Sequence, residues 1–142
     1  DKADIGCGTG LLAKAWRRGD MVGYDVSIGQ VEIARASGRY ARVSELDINE
    51  HPLPKKYDLI TACDLFNLEL ATAECLPNVA SSLKEGGLLI MTMPQHSGYH
   101  DEAGWPFQTS FELVSETDEY VYCRGEISGN DKYHKVITWR KL

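Results

Sequence analysis

The residues nearest the start of the chain are the first that could do chemistry. Asp4-Ile5-Gly6-Cys7-Gly8-Thr9-Gly10 sets three glycines at alternate positions behind a carboxylate. Glycine accepts positive φ and presents no side chain, so this stretch can turn sharply and let a ligand lie against its backbone. A helix starting near Thr9 adds unpaired N–H groups that favour an electronegative partner. Asp25 follows at about the 20-residue interval at which nucleotide-binding folds place a ribose-binding acid. Asp47 stands in a third acidic stretch with Glu45 and Glu50. Further on, Asp64, Asn67, Glu69 and His96 stand in the stretches that follow two later strand-like runs, where a general base would be sought. His96 and His100 have an HxxxH spacing, but Ser97-Gly98 makes that stretch a loop, and no metal site is expected.

Positioning these residues requires strands that end at the glycines and at each acid, and the chain alternates strand-like and helix-like runs through residue 93. Ala3-Asp4-Ile5 reads as a strand end, Leu11 to Arg18 as a helix and Met21 to Tyr24 as a second strand. Ser27 suits the N-cap of a helix from Ile28 to Ala36, with Val31, Ile33 and Ala34 available for the sheet. Ala41 to Leu46 and Tyr57 to Ala62 read as strands. Ala71 to Lys84 reads as a helix, with Pro77 as the alternative start, stopped by Glu85-Gly86-Gly87. Leu88 to Met93 is apolar except for Thr92, as a strand covered on both faces should be. Thr109 to Ser115, Glu119 to Ile127 and Lys132 to Arg140 then read as strands with no helix between them. Ser128-Gly129-Asn130-Asp131 supplies the turn of a terminal antiparallel hairpin.

Composition narrows the classes further. With 142 residues, 43% apolar and 25% charged, the chain fits one α/β domain with its own core. A net charge of -6, with no basic run longer than Arg17-Arg18 or Lys55-Lys56, argues against a nucleic-acid partner. The longest apolar run, Leu88 to Met93, falls far short of the roughly 20 residues that span a bilayer, so no membrane partner is expected. Cys7, Cys63, Cys75 and Cys123 form no CxxC pair and are expected to be reduced thiols of a cytoplasmic protein.

Two nucleotide-binding readings compete for the opening turn. Gly8-Thr9-Gly10-Leu11-Leu12-Ala13 satisfies the looser dinucleotide fingerprint, but a carboxylate beside a pyrophosphate is unfavourable. The whole stretch from Asp4 to Gly10 instead resembles the cofactor motif of class I S-adenosylmethionine-dependent methyltransferases. "VGYDVS", "ELDINEHPLPKKYDLI" and "LKEGGLLIMTMP" follow in that family's order. Details of the middle stretch and the closing "WRKL" are similar to the Williams-Beuren-region methyltransferase-like subgroup.

The resemblance implies a Rossmann-like, doubly wound and mainly parallel sheet spanning residues 1–142 as one domain. It implies cofactor contacts from Asp4, Gly6, Cys7, Gly8 and Gly10, with Asp25 on the ribose hydroxyls and Val26 on the adenine. Asp47 falls near the exocyclic amine, Ile48 beside the ring and Asp64 at the methyl end. Read as a residue alone, Cys7 is simply small enough for the turn. Because the chain begins inside the first strand, the family's N-terminal helices are expected to be missing and the site open to water. Methyl transfer to a small-molecule nucleophile is the expected activity, with Asp64, Asn67 and His96 as candidate bases. "DLFN" at Asp64 to Asn67 is not the family's [DN]PPY signature, so a nucleobase or glutamine amide acceptor is not supported. Phe66, Tyr99, Trp105 and Phe107 are aromatics able either to enclose a substrate or to cover the core. A non-catalytic module binding S-adenosylmethionine or S-adenosylhomocysteine, and a nicotinamide-dependent reductase, are the alternatives.

Overall fold

Ala3, Asp4 and Ile5 are all buried, because the strand they end lies in the middle of a single sheet. The computed structural model describes residues 1–66, 75–94, 110–118, 120–123 and 132–142. Its elements are β1 (Lys2–Ile5), α1 (Leu11–Trp16), β2 (Met21–Asp25), α2 (Ile28–Ala36), β3 (Arg42–Glu45), β4 (Tyr57–Ala62), α3 (Leu76–Ser81), β5 (Leu83–Pro94), β6 (Phe111–Glu116), β7 (Tyr120–Cys123) and β8 (Lys132–Lys141).

The sheet order is β3-β2-β1-β4-β5-β8-β6, with β7 also paired to β8. The pairs from β3 to β5 are parallel, whereas β8 runs antiparallel to β5, β6 and β7. Strand order reverses between β1 and β4, and that reversal opens a crevice beyond the carboxyl ends of the strands.

Side chains alternate across the sheet, which divides the core in two. Ala3, Ile5, Tyr24, Ile60, Leu89 and Met91 pack on one face with Leu76 and Val79 of α3. Met21, Val43 and Tyr40 pack on the other with Ala13 of α1 and with Val31 and Ala34 of α2. Asp4 shares that second face, flanked in register by Gly23 of β2 and Thr61 of β4.

Several local expectations change. Helix α1 stops at Trp16 rather than Arg18, since Arg17 adopts a left-handed φ of 60° and donates its N–H to Ala13. Ser27 stands at the N-cap of α2 without bonding through its side chain. Ile33 does not reach the sheet: it is 56% exposed, because Val31 and Ala34 define the inner face and a residue two positions from Val31 points away. Helix α3 ends at Ser81, and Gly86 and Gly87 belong to β5 instead of capping a helix. Leu83 already pairs with Tyr57 and Leu88 with Leu59, so the glycines sit in an irregular stretch of the strand. The terminal strands are paired as antiparallel elements, with β8 lying between β5 and β6. The turn at 128–131 lies outside the described residues. Among the described residues, no helix is long and apolar enough to cross a membrane.

Candidate cofactor cleft

Four strand ends build the site. The carboxyl ends of β1, β2, β3 and β4 and the turns that follow them surround a cleft of about 370 Å3. Gly6, Gly8, Asp25, Val26, Asp47, Ile48 and Asp64 all line it. Asp4, Cys7 and Gly10 do not: Asp4 and Cys7 are buried beneath the turn, and Gly10 is the N-cap of α1. Asn67, Glu69, His96, His100, Tyr99, Trp105 and Phe107 lie outside the described residues. Phe66 is 1% exposed within the core and takes the core-covering role.

Asp25 ends β2 and faces the cleft. Its Oδ2 accepts the Gly8 N–H at 2.8 Å and its Oδ1 accepts the Ser27 N–H at 2.9 Å. Each carboxylate oxygen has two lone pairs, so both retain an acceptor position for a ligand hydroxyl. Gly8 itself has φ +51°, and a Cβ there would point into open space, 4.0 Å from Gln30 Oε1. The turn therefore presents bare backbone to whatever occupies the cleft.

Asp47 folds the loop after β3 on itself, its Oδ1 accepting the Asn49 N–H at 2.9 Å. Asn78 of α3 holds the same loop by donating Nδ2 to the carbonyls of Ile48 at 2.9 Å and Asn49 at 3.2 Å. Asp64 follows β4 in a left-handed conformation, φ 57°, and its N–H donates to Thr92 Oγ1 of β5 at 2.7 Å. This explains the single polar residue in the otherwise apolar run Leu88 to Met93.

Beneath the turn, Asp4 accepts the Tyr40 hydroxyl at 2.5 Å and the Thr61 hydroxyl at 2.7 Å. Burial pushes its carboxyl up to about 6, against the two hydroxyls that favour the charged form, and the nearby Asp25 charge adds to the rise. Burial likewise pushes the Cys7 thiol up to about 12 and the cleft-lining Cys63 thiol up to about 11, so neither is a thiolate nucleophile near neutral pH.

The chemistry of the lining is one-sided. Asp25, Asp47 and Asp64 contribute three carboxylates, and no Lys or Arg is among the described residues that line the cleft. Such a cleft disfavours a phosphate and favours a cation. Val26, 59% exposed, and Ile48 add apolar surface to the same lining.

Gln30, Tyr40, Thr61, Asn78 and Thr92 were not marked as site residues by their sequence positions. Thr61 and Thr92 carried a usable signal, one threonine in each of two apolar runs, Leu59 to Ala62 and Leu88 to Met93. The other three stand in ordinary helix or loop contexts.

Residues 3–87 match the family described as methyltransferase domain. The chain is similar to malonyl-[acyl-carrier protein] O-methyltransferase of Acetivibrio thermocellus, 28% identical over 126 residues that cover 84% of this chain and 44% of that protein. It is also similar to trans-aconitate 2-methyltransferase of Enterobacter sp. (strain 638), 27% identical over 164 residues that cover all of this chain and 64% of that protein. The chain thus spans about half to two-thirds of the length of these relatives. Among solved structures, coclaurine N-methyltransferase bound to N-methylheliamine and SAH superposes with a TM-score of 0.71 at 15% identity, covering 99% of this chain and 67% of that one. That last likeness is one of fold.

Proposed function

The chain belongs to the methyltransferase domain family, and from that premise we propose that residues 1–142 act as one domain that transfers a methyl from S-adenosylmethionine to a small-molecule nucleophile. The observation that carries the reading is the charge of the cleft: three carboxylates and no cation among its described lining residues. S-adenosylmethionine is a cation at sulfur with a protonated amine, whereas a nicotinamide dinucleotide would bring a pyrophosphate to the same carboxylates.

When bound, the cofactor supplies an electrophilic methyl on sulfonium. The two open acceptor positions of Asp25 suit the ribose diol. Val26 and Ile48 suit the faces of the adenine and Asp47 its amine. The bare backbone of Gly8 lets the amino-acid end lie close to the turn, under which the Asp4 carboxylate sits. Holding the methyl in line with an acceptor is the larger part of such catalysis. Asp64 is the described candidate for proton removal, with His96 as a further candidate, and Asn67 is a candidate for orienting the acceptor by hydrogen bonding.

For the acceptor, a carboxylate oxygen of a small acid is the class we favour. Malonyl and trans-aconitate, named for the two relatives, both carry free carboxylates. An ionised carboxylate has no proton to lose, so it places little demand on a base.

Calorimetry of the chain against S-adenosylmethionine, S-adenosylhomocysteine and NADH tests the cofactor, and turnover on a panel of small carboxylic acids tests the reaction. Binding of the two sulfur ligands with no NADH binding is the expected result. NADH binding alone would reverse the cofactor reading, and cofactor binding without turnover on any acceptor class would favour a binding module.

A further inference from the structure

Tyr40 lies in the link between α2 and β3, is 9% exposed, and packs with Cys7 and Ala13 on the Asp4 face of the sheet. One side chain there touches three parts of the cleft's support. A Cβ added to Gly10, at the end of the glycine turn, would come within 3.1 Å of Tyr40 Cε2. One added to Gly23 of β2, two residues before Asp25, would come within 3.0 Å of Cys7 Sγ and 3.3 Å of Tyr40 Cε1. The ring, with Cys7 beside it, therefore fills the room that two glycines leave between the turn and the strand, and a side chain at either position would crowd it. At its far end, the hydroxyl donates to Asp4 Oδ2 at 2.5 Å, where the turn begins.

That wedge bears on ligand geometry because turn and strand meet again above it. The Gly8 N–H donates to Asp25 Oδ2, so the relative height of turn and strand decides whether both can face one ligand. We propose that Tyr40 is a positioning residue of the cofactor cleft, its ring setting the spacing of the glycine turn from β2 and its hydroxyl holding the Asp4 carboxylate under the turn. The role rests on the reading of the cleft as the S-adenosylmethionine site. It adds a residue that contacts no ligand and acts through Asp4, Gly10 and Gly23.

The role has a signature in pH. The groups facing Asp4 are Tyr40 from the link before β3, Thr61 and Cys63 from β4 and the residues after it, Asp25 from β2 and Cys7 from the turn. Of these, the Tyr40 hydroxyl is the strongest influence keeping Asp4 charged. Without it Asp4 keeps its proton to higher pH, and the turn loses the carboxylate that attracts the ligand's ammonium group.

The test is calorimetric affinity for S-adenosylhomocysteine in wild type and Tyr40→Phe across the mildly acidic to neutral range, with thermal melting alongside. The expected result is a variant that binds about tenfold or more weakly at neutral pH, the size of a lost hydrogen bond to a charged group. The acid-side fall in its affinity should also begin at higher pH than in wild type. Equal affinities, or a uniform loss with an unmoved pH profile, would show Tyr40 to be packing alone and overturn the role. A second arm uses only the wild-type chain, so it does not depend on the variant folding. NMR titration of the Asp4 carboxyl carbon should show a lower midpoint when S-adenosylhomocysteine is bound, and an unmoved midpoint overturns the role. A wild-type chain that bound no S-adenosylhomocysteine would overturn the cofactor reading and this role together, whereas wild-type binding with an indifferent Tyr40→Phe sinks the role alone.

Discussion

Asp25 has a double task, bonding the Gly8 and Ser27 amides while keeping acceptor capacity toward the cleft. Replacing it by Ala removes both, so the expected loss of S-adenosylhomocysteine affinity is about 2 to 4 kcal/mol by calorimetry. A fall smaller than about tenfold would mean that the ribose hydroxyls are not bound there. Gly8→Val acts differently. Its φ of +51° resists a branched side chain, but the space beside it is open cleft rather than core. The chain should keep its circular dichroism and melting transition while binding of S-adenosylhomocysteine is lost. Intact binding in that variant would take the glycine turn out of the site.

At the scale of elements, the loops of the cleft are held by side chains from neighbouring elements. Thr92 of β5 fixes the turn after β4 through the Asp64 N–H, and Asn78 of α3 fixes the loop after β3 through two carbonyls. Thr92→Val keeps the shape of the side chain and deletes the acceptor. It should lower unfolding free energy by about 1 to 3 kcal/mol in urea, the penalty for stranding a polar group. An unchanged midpoint would show that water replaces the hydroxyl at no penalty. Asn78→Ala releases the loop that carries Asp47 and Ile48, so affinity for S-adenosylhomocysteine should drop more than affinity for S-ribosylhomocysteine, which lacks the adenine. Equal losses for the two ligands would separate Asn78 from the adenine subsite.

For the whole molecule, Asp4 sets a conflict between stability and binding. Its carboxyl titrates near 6 in the folded chain against 3.8 for an unperturbed aspartate. Between those values the folded state holds a proton that the unfolded state has released, so unfolding free energy falls as pH rises through this window. The contribution is absent below the lower value and fully unfavourable above the upper one, on the order of 3 kcal/mol. Asp4→Asn removes the buried charge while still accepting from Tyr40, and its amide can donate to Thr61 Oγ1, whose proton is then free for the Ala3 carbonyl 3.2 Å away. The variant should be more stable than wild type at neutral pH in urea, with the gap closing toward pH 4, and should bind S-adenosylhomocysteine more weakly. A gap that did not shrink with acid would assign the stability change to something other than this carboxylate.

What could be read from the sequence about this protein was whatever neighbouring residues decide. Strand ends at Ile5 and Ala62, helix α2, and the glycine turn follow from periodicity, caps and backbone freedom within a few residues, while β2 runs one residue past Tyr24 to Asp25. The order of acids after those strands was legible for the same reason, since parallel α/β sheets place such loops at one edge. Tertiary structure alone decided the rest. The insertion of β8 between β5 and β6, and the outward turn of Ile33, depend on which surfaces meet. The Tyr40 to Asp4, Thr92 to Asp64 and Asn78 to Ile48 bonds join residues 36, 28 and 30 positions apart. No local pattern marks such partners, because a tyrosine, a threonine or an asparagine looks the same in sequence whether it packs, caps or supports a site. Only the closing of the sheet brings each hydroxyl or amide to the one carboxylate or backbone group that gives it a role.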